Sequence, residues 1–481
     1  MHTDVLIAGA GPTGLVLACD LARRGVAFRL VEQAGQLFPG ARGKGLQPRT
    51  QEVLHDLGVL DAVHAAGSRY PLMLTWEDGT PGQEWDLMER HPAEDGVPWP
   101  EVWMIPQWRT QEILHARLLE LGGQVEFGTA VTAVRQDAAG VEVELAGPGG
   151  TVTATAGYLV AADGGRSTVR RAVGIPMAGE SVDPTPALVA DVRITGLERD
   201  HWHIWPKAPG GPALLCPMPG GGPTDFQLFA QCAEGEPDTA PAAVRQLVAD
   251  RTHLPAEAVA GVGWASAFRP TAALADRFRL GRVFLAGDAA HVHSPAGGQG
   301  LNTSVQDAYN LGWKLGRVLR HGADPALLDT YELERLPVAA DVLEISTSLH
   351  RAGGVSSGTR RGPRTEQLGV GYRGGPLTAE HRTGLAEDAL QAGDRAPDTA
   401  CTTPDGAVHR LFDVLRGPHP TLVVAGAALP DVPRPPAGVP AVRVADGYGE
   451  GYLLIRPDGY IGLATADPAD LAPYLAALGT A

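Results

Sequence analysis

The sequence predicts an α/β fold in which a buried parallel sheet is interrupted by an antiparallel one and followed by a small terminal unit. Three observations predict it. The short apolar run Val5–Ala8 passes straight into a glycine-rich turn and a helical pattern, the order of a βαβ unit. Two later apolar runs, Tyr158–Ala162 and Val283–Ala286, have the same buried-strand character and end at Asp163-Gly164 and Gly287-Asp288. Between them, from about Leu188 to Phe268, the texture changes to short alternating runs broken by Gly-Pro clusters, which suggests an antiparallel sheet.

Taken in order, Pro12–Arg24 sets Leu15, Leu17, Ala18, Leu21 and Ala22 at helical spacing, and Gly25 ends that helix. Phe28–Val31 is the second strand, closed by Glu32. Helices are expected over Pro48–Leu57, continued by Val59–Ala66, and over Gln107–Leu121. The stretch Tyr70–Trp103, rich in Trp, weakens into loops and short strands. Val125–Val134 and Gly140–Val152 are expected to pair antiparallel around a turn at Asp137–Gly140. In the second texture His201–Trp205, Leu214–Met218 and Phe226–Gln231 are strands. Helical patterns return over Leu301–Arg320 and Pro325–Leu349, and Ala352–Arg364, rich in Gly, Ser and Arg, is a linker or loop. The clearest feature of the terminal unit is the hairpin Tyr452–Leu463, turned at Pro457-Asp458-Gly459.

Length and charge narrow the function. A chain of 481 residues suggests two or three domains. A net charge of -16 argues against a nucleic-acid surface, although a local Arg cluster still admits a small anion. The four cysteines, Cys19, Cys216, Cys232 and Cys401, form no CxxC pair, so neither a disulfide scaffold nor a zinc site is expected. No signal peptide and no membrane-spanning run is read, and the expected location is the cytoplasm, without membrane or nucleic-acid partners.

Gly9-Ala10-Gly11-Pro12-Thr13-Gly14 is a GxGxxG opening a helix directly after a strand, the fingerprint of a Rossmann-type dinucleotide site. Gly9 makes the tight turn, Gly11 lets the backbone approach a pyrophosphate, and Gly14 allows helix and strand to pack closely. The helix start draws the negative charge. Glu32, with Gln33 beside it, stands about 20 residues on, where a carboxylate can hold ribose hydroxyls. The residues alone leave NAD or FAD open.

Together with Asp163-Gly164-Gly165-Arg166-Ser167 and Gly287-Asp288-Ala289-Ala290-His291, this motif resembles the three fingerprints of the class A flavoprotein hydroxylases. The resemblance implies a glutathione-reductase type FAD-binding domain, with Asp288 on the ribityl chain and Asp163 and Gly164 on FAD and the nicotinamide. Asp163 has a second reading, as a cap for the helix after it. Arg42-Gly43-Lys44-Gly45-Leu46-Gln47-Pro48-Arg49-Thr50 looks like the segment lining the flavin, and Gln107 in Ile105-Pro106-Gln107 like a cofactor contact. The run Pro295–Asn302 looks like the loop and helix start under the isoalloxazine ring. Its Gly298, Gly300, Leu301 and Asn302 are cofactor-binding candidates, because backbone N–H groups there suit the charge of reduced flavin. Arg42 and Pro295 are the flavin-adjacent candidates for catalysis. His291 and His293 have no carboxylate or Cys at ligand spacing, so no metal is expected.

The family resemblance implies NADPH, or NADH, as a transient co-substrate, which fits a chain with a single Gly-rich fingerprint. It also implies O2 as the second substrate and oxygen transfer from a C4a-hydroperoxyflavin to an electron-rich ring. The expected substrate is a small aromatic molecule, a polycyclic polyketide-type phenol. Baeyer–Villiger insertion, antibiotic modification, and a reductase or dehydrogenase that does not use O2 are the alternatives. Trp103, His203, Trp205, Met218 and Phe226 are candidate pocket walls, since flat rings favour aromatic neighbours.

The expected domains are FAD-binding (1–70, 104–175, 270–350), substrate-binding (71–103, 176–269), linker (351–392) and terminal (393–481). The terminal unit, with Asp394-Arg395-Ala396-Pro397-Asp398 and the Pro-Asp-Gly hairpin, is similar to the thioredoxin-like tail of the larger hydroxylases, including the phenol, aromatic polyketide and rifampicin enzymes. Cys401 has no redox partner there, so a structural or homodimer-contact role is expected instead of thiol chemistry.

Overall fold

The computed structural model describes residues 2–232, 235–353, 360–426 and 436–480. Its first sheet has eight strands, ordered Arg279–Leu280, Val283–Leu285, Gly150–Ala161, His2–Ala8, Phe28–Glu32 and Val125–Phe127, with two more on one arm. The middle four of the six, and Val125–Phe127 beside them, run parallel. Val5, Leu6 and Ile7 have no exposed surface, as a parallel strand covered on both faces requires. Helices Pro12–Arg23, Gln107–Glu120 and Gly300–His321 supply much of that cover. Gly312 lets the last of these come close to the first: a methyl group there would lie 2.3 Å from the Asp20 carboxylate.

The arm is the hairpin Ala130–Gln136 and Val141–Gly147, laid antiparallel on Gly150–Ala161. The expected strand Gly140–Val152 is in fact the whole of one strand, Val141–Gly147, and the start of another. They divide at Pro148-Gly149, and Gly150 turns the chain at φ +102°. The new strand runs on without a break into the apolar stretch that ends the Rossmann-type core.

The second sheet has seven strands, ordered Val259–Phe268, Ala187–Ile194, Asp225–Gln231, Ala213–Pro217, His201–Trp205, Leu72–Glu77 and Thr80–Trp85. It is antiparallel except where His201–Trp205 lies parallel to Leu72–Glu77. The Trp-rich stretch after Tyr70 therefore completes this sheet. One face packs on helix Pro241–Arg251 through Leu188, Val192, Leu215, Phe226 and Leu228. The opposite face carries Met73, Trp202, Ile204, Leu214 and Cys216.

The terminal sheet also has seven strands, with the hairpin Gly451–Ile455 and Ile461–Thr465 near its middle. Ala379–Glu380, inside the stretch assigned to a linker, joins it as a parallel edge strand. Residues 354–359 of the expected loop lie outside the described residues. The hairpin turn docks on the first domain through a buried ion cluster. Arg456 donates to Glu334 at 2.6 and 2.9 Å and to Asp458 at 2.6 and 3.0 Å, while Lys314 donates to Glu334 at 2.8 Å. Among the described residues no helix is long and apolar enough to cross a membrane.

Candidate active site

Three parallel strands deliver their motifs to one end of the first sheet, where open α/β sheets place ligands. At the first, Gly9 holds φ +103°, and a side chain there would begin 2.3 Å from the Ala162 carbonyl oxygen. A methyl on Gly14 would lie 1.9 Å from the Gly9 carbonyl, so only glycine lets the helix sit on its own turn. Gly11 is different, because nothing lies within 4 Å of where its side chain would be. No side chain caps the helix at Gly11, and Pro12 occupies its first position. Its first-turn amides are thus left for an outside acceptor. Glu32 accepts from the Ala10 and Ala34 amides, each at 2.9 Å, which pins its carboxylate beside that turn. Gln33 next to it is exposed, and Thr13 is buried.

The other two motifs meet the first. Gly287 comes so close that a side chain on it would lie 2.5 Å from the Thr13 hydroxyl. Arg170 ties the pair together, donating to the Ala289 carbonyl at 3.0 Å and the Gly165 carbonyl at 3.1 Å. Asp163 accepts from the Thr168 and Val169 amides at 2.7 and 3.2 Å through Oδ2, as a helix-capping residue does. Its Oδ1 is buried without a partner. Gly164 beside it, at φ +79°, has open space where a side chain would be. Asp288 is exposed to solvent, yet enclosing protein raises its carboxyl above the usual range, against the opposing charges of His291 and Arg42. That combination describes a deep recess reached by solvent, not outer surface.

The glycine-rich segments form a wall of this recess. Asn302, fully buried, accepts from the Gln47 amide and donates to the Gly45 and Gly298 carbonyls, all at 2.8 Å. It staples the segment Arg42–Thr50 to the loop Pro295–Gly298 and the helix starting at Gly300. Gln107 accepts from the Gly43 amide at 3.0 Å, and the Leu301 side chain lies against Gly43. Asn302 and Gln107 therefore position backbone in the wall. Gly298 holds φ +63° at the end of a short turn begun at Pro295. Arg42 is exposed, with its guanidinium 5.1 Å from the Phe38 ring centre and 5.7 Å from that of Trp264. Its charge is felt by Asp288 and Arg166, so all three motif regions face one another.

Behind the loop runs a chain of hydrogen bonds that the sequence spacing concealed. Asp307 accepts from Arg335 at 2.8 Å and meets His291 Nε2 at 2.5 Å, and His291 Nδ1 meets His293 Nε2 at 2.8 Å. Burial opposes charge on Asp307, but His291 and Arg335 outweigh it and hold the carboxyl below its usual range. Asp307 sits sixteen residues beyond His291, about two turns into the helix wall, which is why no pattern connects them. Among the described residues no three His, Cys, Asp or Glu side chains gather at metal-ligand distance.

The pocket candidates divide by sheet face. His203, Trp205 and Phe226 point away from the recess. Phe226 and Trp205 pack in the cluster under helix Pro241–Arg251, and His203 accepts from Trp76 Nε1 at 3.0 Å and donates to the Glu198 carbonyl at 2.8 Å. Trp103 is part of the first domain, donating to the Val63 carbonyl at 3.2 Å. Met218 is buried at the end of its strand, with its carbonyl bonded to Arg199. Side chains alternate along a strand, so the neighbours Trp202, Cys216, Gln227 and Asp191 turn to the other face. Of these, Gln227 and Asp191 bond directly to the segment Ala41–Lys44.

FAD suits this end of the sheet on three of its features: the open side of Gly11 with its uncapped amides, the unpartnered Asp163 oxygen, and the solvent-reaching recess at Asp288. Comparison with known proteins agrees. A family model described as an FAD binding domain matches residues 2–346. The chain is 44% identical to a flavin-dependent monooxygenase of Mycobacteroides abscessus, covering 98% of this chain and 99% of that one. It is 36% identical to the 12-dehydrotetracycline 5-monooxygenase/anhydrotetracycline 6-monooxygenase of Streptomyces rimosus, covering 96% and 95%. Its structure superposes on aklavinone-11 hydroxylase, solved with FAD and aklavinone, with a TM-score of 0.82, 29% identity and coverage of 99% and 98%. A fingerprint set, a recess and a full-length likeness thus coincide, and the chain belongs to the class A flavoprotein aromatic hydroxylases, the FAD-dependent monooxygenases.

Proposed function

We propose that this enzyme uses NADPH, or NADH, and O2 to hydroxylate a polycyclic phenol of polyketide type. The observation that carries the proposal is the adjacency of the recess to an apolar, aromatic sheet face. Trp202, Phe229, Leu214 and Met73 pack there with Tyr70 and Met104 in one apolar, aromatic cluster, whose chemistry suits a fused-ring molecule. Relatives named for oxygenating tetracyclines, and one solved with aklavinone, support the same size class.

In this reading the first-turn amides after Gly11 hold the FAD pyrophosphate and Glu32 holds the ribose. Asp288 holds the ribityl chain, and the backbone from Gly298 to Leu301 faces the ring. Bound flavin supplies the electron transfer and oxygen activation; the protein orients it, excludes water and stabilises charge. Arg42, stacked on Phe38 and Trp264 at the rim, contributes a positive charge where the nicotinamide and the substrate approach. A single Gly-rich fingerprint supports a nicotinamide that binds transiently. We read the terminal unit as a thioredoxin-like scaffold retained for docking: Cys401 is buried and free, and Arg456, Asp458 and Arg49 anchor it.

The test is substrate-stimulated NADPH oxidation by the purified flavoprotein across monocyclic phenols and three- or four-ring phenols. Faster oxidation with the polycyclic compounds is expected. Stimulation by monocyclic phenols alone would refute the substrate class.

A further inference from the structure

On the face of the second sheet that looks toward the recess, two adjoining polar positions stand beside the apolar cluster of Trp202, Leu214 and Cys216. Asp191 and Gln227 are cross-strand partners, and both reach across to the segment Ala41–Lys44. Asp191 Oδ2 accepts from the Ala41 amide at 3.0 Å, and Gln227 Nε2 donates to the Ala41 carbonyl. Lys44 Nζ donates to Gln227 Oε1 at 2.5 Å and lies 4.1 Å from the centre of the Trp202 ring. Ala41 and Gln227 are thereby satisfied. Two charges are not: Lys44 makes no ion pair with a described carboxylate, and Asp191 Oδ1 is buried with no hydrogen-bond partner.

A buried open acceptor, and a buried cation that feels Asp191 and Cys216 without an ion pair to any described carboxylate, are costly unless something binds between them. The missing group must give a proton or hydrogen bond to the carboxylate and negative charge to the ammonium. A hydroxyl on an aromatic ring does both. We infer that Asp191 and Lys44 receive the substrate's ring hydroxyl, Asp191 Oδ1 taking its proton and Lys44 holding the oxyanion. This inference rests on the hydroxylase reading of the site. In the step the O–H bond breaks and an H–Oδ1 bond forms; the negative charge passes from carboxylate to ring oxygen, and no electrons change hands. The product is the electron-rich form of the ring that oxygen transfer needs.

The pair also sets the substrate class. Burial pushes the Asp191 carboxyl up to about 6, against the Ala41 hydrogen bond and the Lys44 charge. Burial likewise lowers the Lys44 ammonium from its usual range, with Cys216, Arg361 and Asp191 as its charged or titratable neighbours. Asp225 faces Asp191 from the adjoining strand, and Tyr70 stands between Cys216 and Arg361. A simple phenol near pKa 10 is about four units too weak an acid for such a base. A phenol conjugated to a ring carbonyl is far better matched. Among polycyclic phenols, hydroxyquinones and enolised polycyclic ketones fit the pair better than rings without a conjugated carbonyl.

Alizarin, a dihydroxyanthraquinone whose neutral form is yellow and whose ionised form absorbs at longer wavelength than flavin, is the probe. It is titrated into flavin-loaded enzyme at about pH 6, where Asp191 is partly ionised, and the ionised fraction of bound dye is compared with that of free dye, so the readout needs no turnover and is separate from whether oxygen is transferred. The wild-type enzyme should bind it with the ionised spectrum. Asp191→Asn should bind the dye in its neutral form, and Lys44→Met should bind it about tenfold or more weakly, the loss of one charge-assisted contact. Asp191→Glu and Lys44→Arg should restore much of each effect, and undiminished flavin colour in all four variants shows that they are folded. Neutral or undetectable dye on the wild type, or an ionised spectrum in Asp191→Asn, would overturn the assignment.

Discussion

Gly11→Asp separates cofactor binding from folding, because the structure predicts opposite effects on the two. Gly11 has φ −70° and ψ −179°, an extended conformation open to any residue, and nothing lies within 4 Å of the new side chain. It is also the uncapped N-cap of helix Pro12–Arg23. Aspartate is a better N-cap than glycine by a few tenths of a kcal/mol, because its carboxylate accepts from first-turn amides. Those are the amides a pyrophosphate would use. The introduced charge would stand against the phosphates at about 4 kcal/mol for each unit-charge pair 4 Å apart, at an effective dielectric of about 20. One such pair weakens binding roughly a thousandfold. The purified variant should be colourless, with the apo protein at least as stable as apo wild type. It should also lack the stabilisation of about 2.7 kcal/mol that FAD at 100 times its Kd gives a binding protein. Flavin absorbance and thermal unfolding with and without FAD measure both. Gly14→Ala is the contrasting control, since its methyl would lie 1.9 Å from the Gly9 carbonyl and the turn itself should fail. A yellow Gly11→Asp protein, or a Gly14→Ala protein as stable as wild type, would refute the reasoning.

Other perturbations follow from the same structure. Asp191 binds its proton more tightly when folded, near pH 6 against 3.8, so folding is favoured most at acid pH and penalised as pH rises through about 6. Asp191→Asn should therefore be more stable than wild type by up to about 3 kcal/mol at pH 8, with the gap closing by pH 4; a constant gap across pH in denaturant titrations would contradict this. Glu32→Ala frees the Ala10 and Ala34 amides and removes a ribose acceptor, and FAD affinity measured by flavin fluorescence should fall about 10- to 100-fold; unchanged affinity would remove Glu32 from the site. Arg456→Met leaves the Asp458 carboxylate with only Asn310, and Glu334 with only Lys314 and Asn310. Calorimetry should show a loss of about 3–5 kcal/mol, with the terminal unit unfolding at lower temperature than the rest; a single unshifted transition would mean that the cluster does not hold it.

The parts of the fold written in local sequence were legible there. Glycines at fixed offsets after a strand have few other uses, and a side chain at Gly9, Gly14 or Gly287 would meet neighbouring atoms within 3 Å. The long strand Gly150–Ala161 was legible only in halves, because its antiparallel half alternates while its parallel half is apolar throughout. The sheet face turned toward the recess was not legible for a related reason. Strands such as Ala213–Pro217 are buried on both sides, so apolar residues occur at every position and alternation carries no signal of which face meets the cofactor. Residue type points to His203, Trp205 and Phe226, which lie on the face turned to helix Pro241–Arg251. The signal available was the opposite one: Asp191 is the one carboxylate within the apolar run Ala187–Val192. Its partner Lys44 is 147 positions away in a glycine-rich loop, and only the fold joins them. The ion cluster of Lys314, Glu334, Arg456 and Asp458 was hidden in the same way, assembled from two helices and a hairpin.

The central claim, that this flavoprotein transfers an atom of O2 to an aromatic ring, is tested most directly by isotope. The FAD-loaded enzyme is given NADPH and a polycyclic hydroxyquinone under 18O2 in ordinary water, and the product is examined by mass spectrometry. One labelled oxygen per product molecule, with the ring carbon count and hydroxylation confirmed by NMR, is the predicted result. Product formed without label, or NADPH consumed with only labelled peroxide released and the hydroxyquinone unchanged across the polycyclic set, would contradict it.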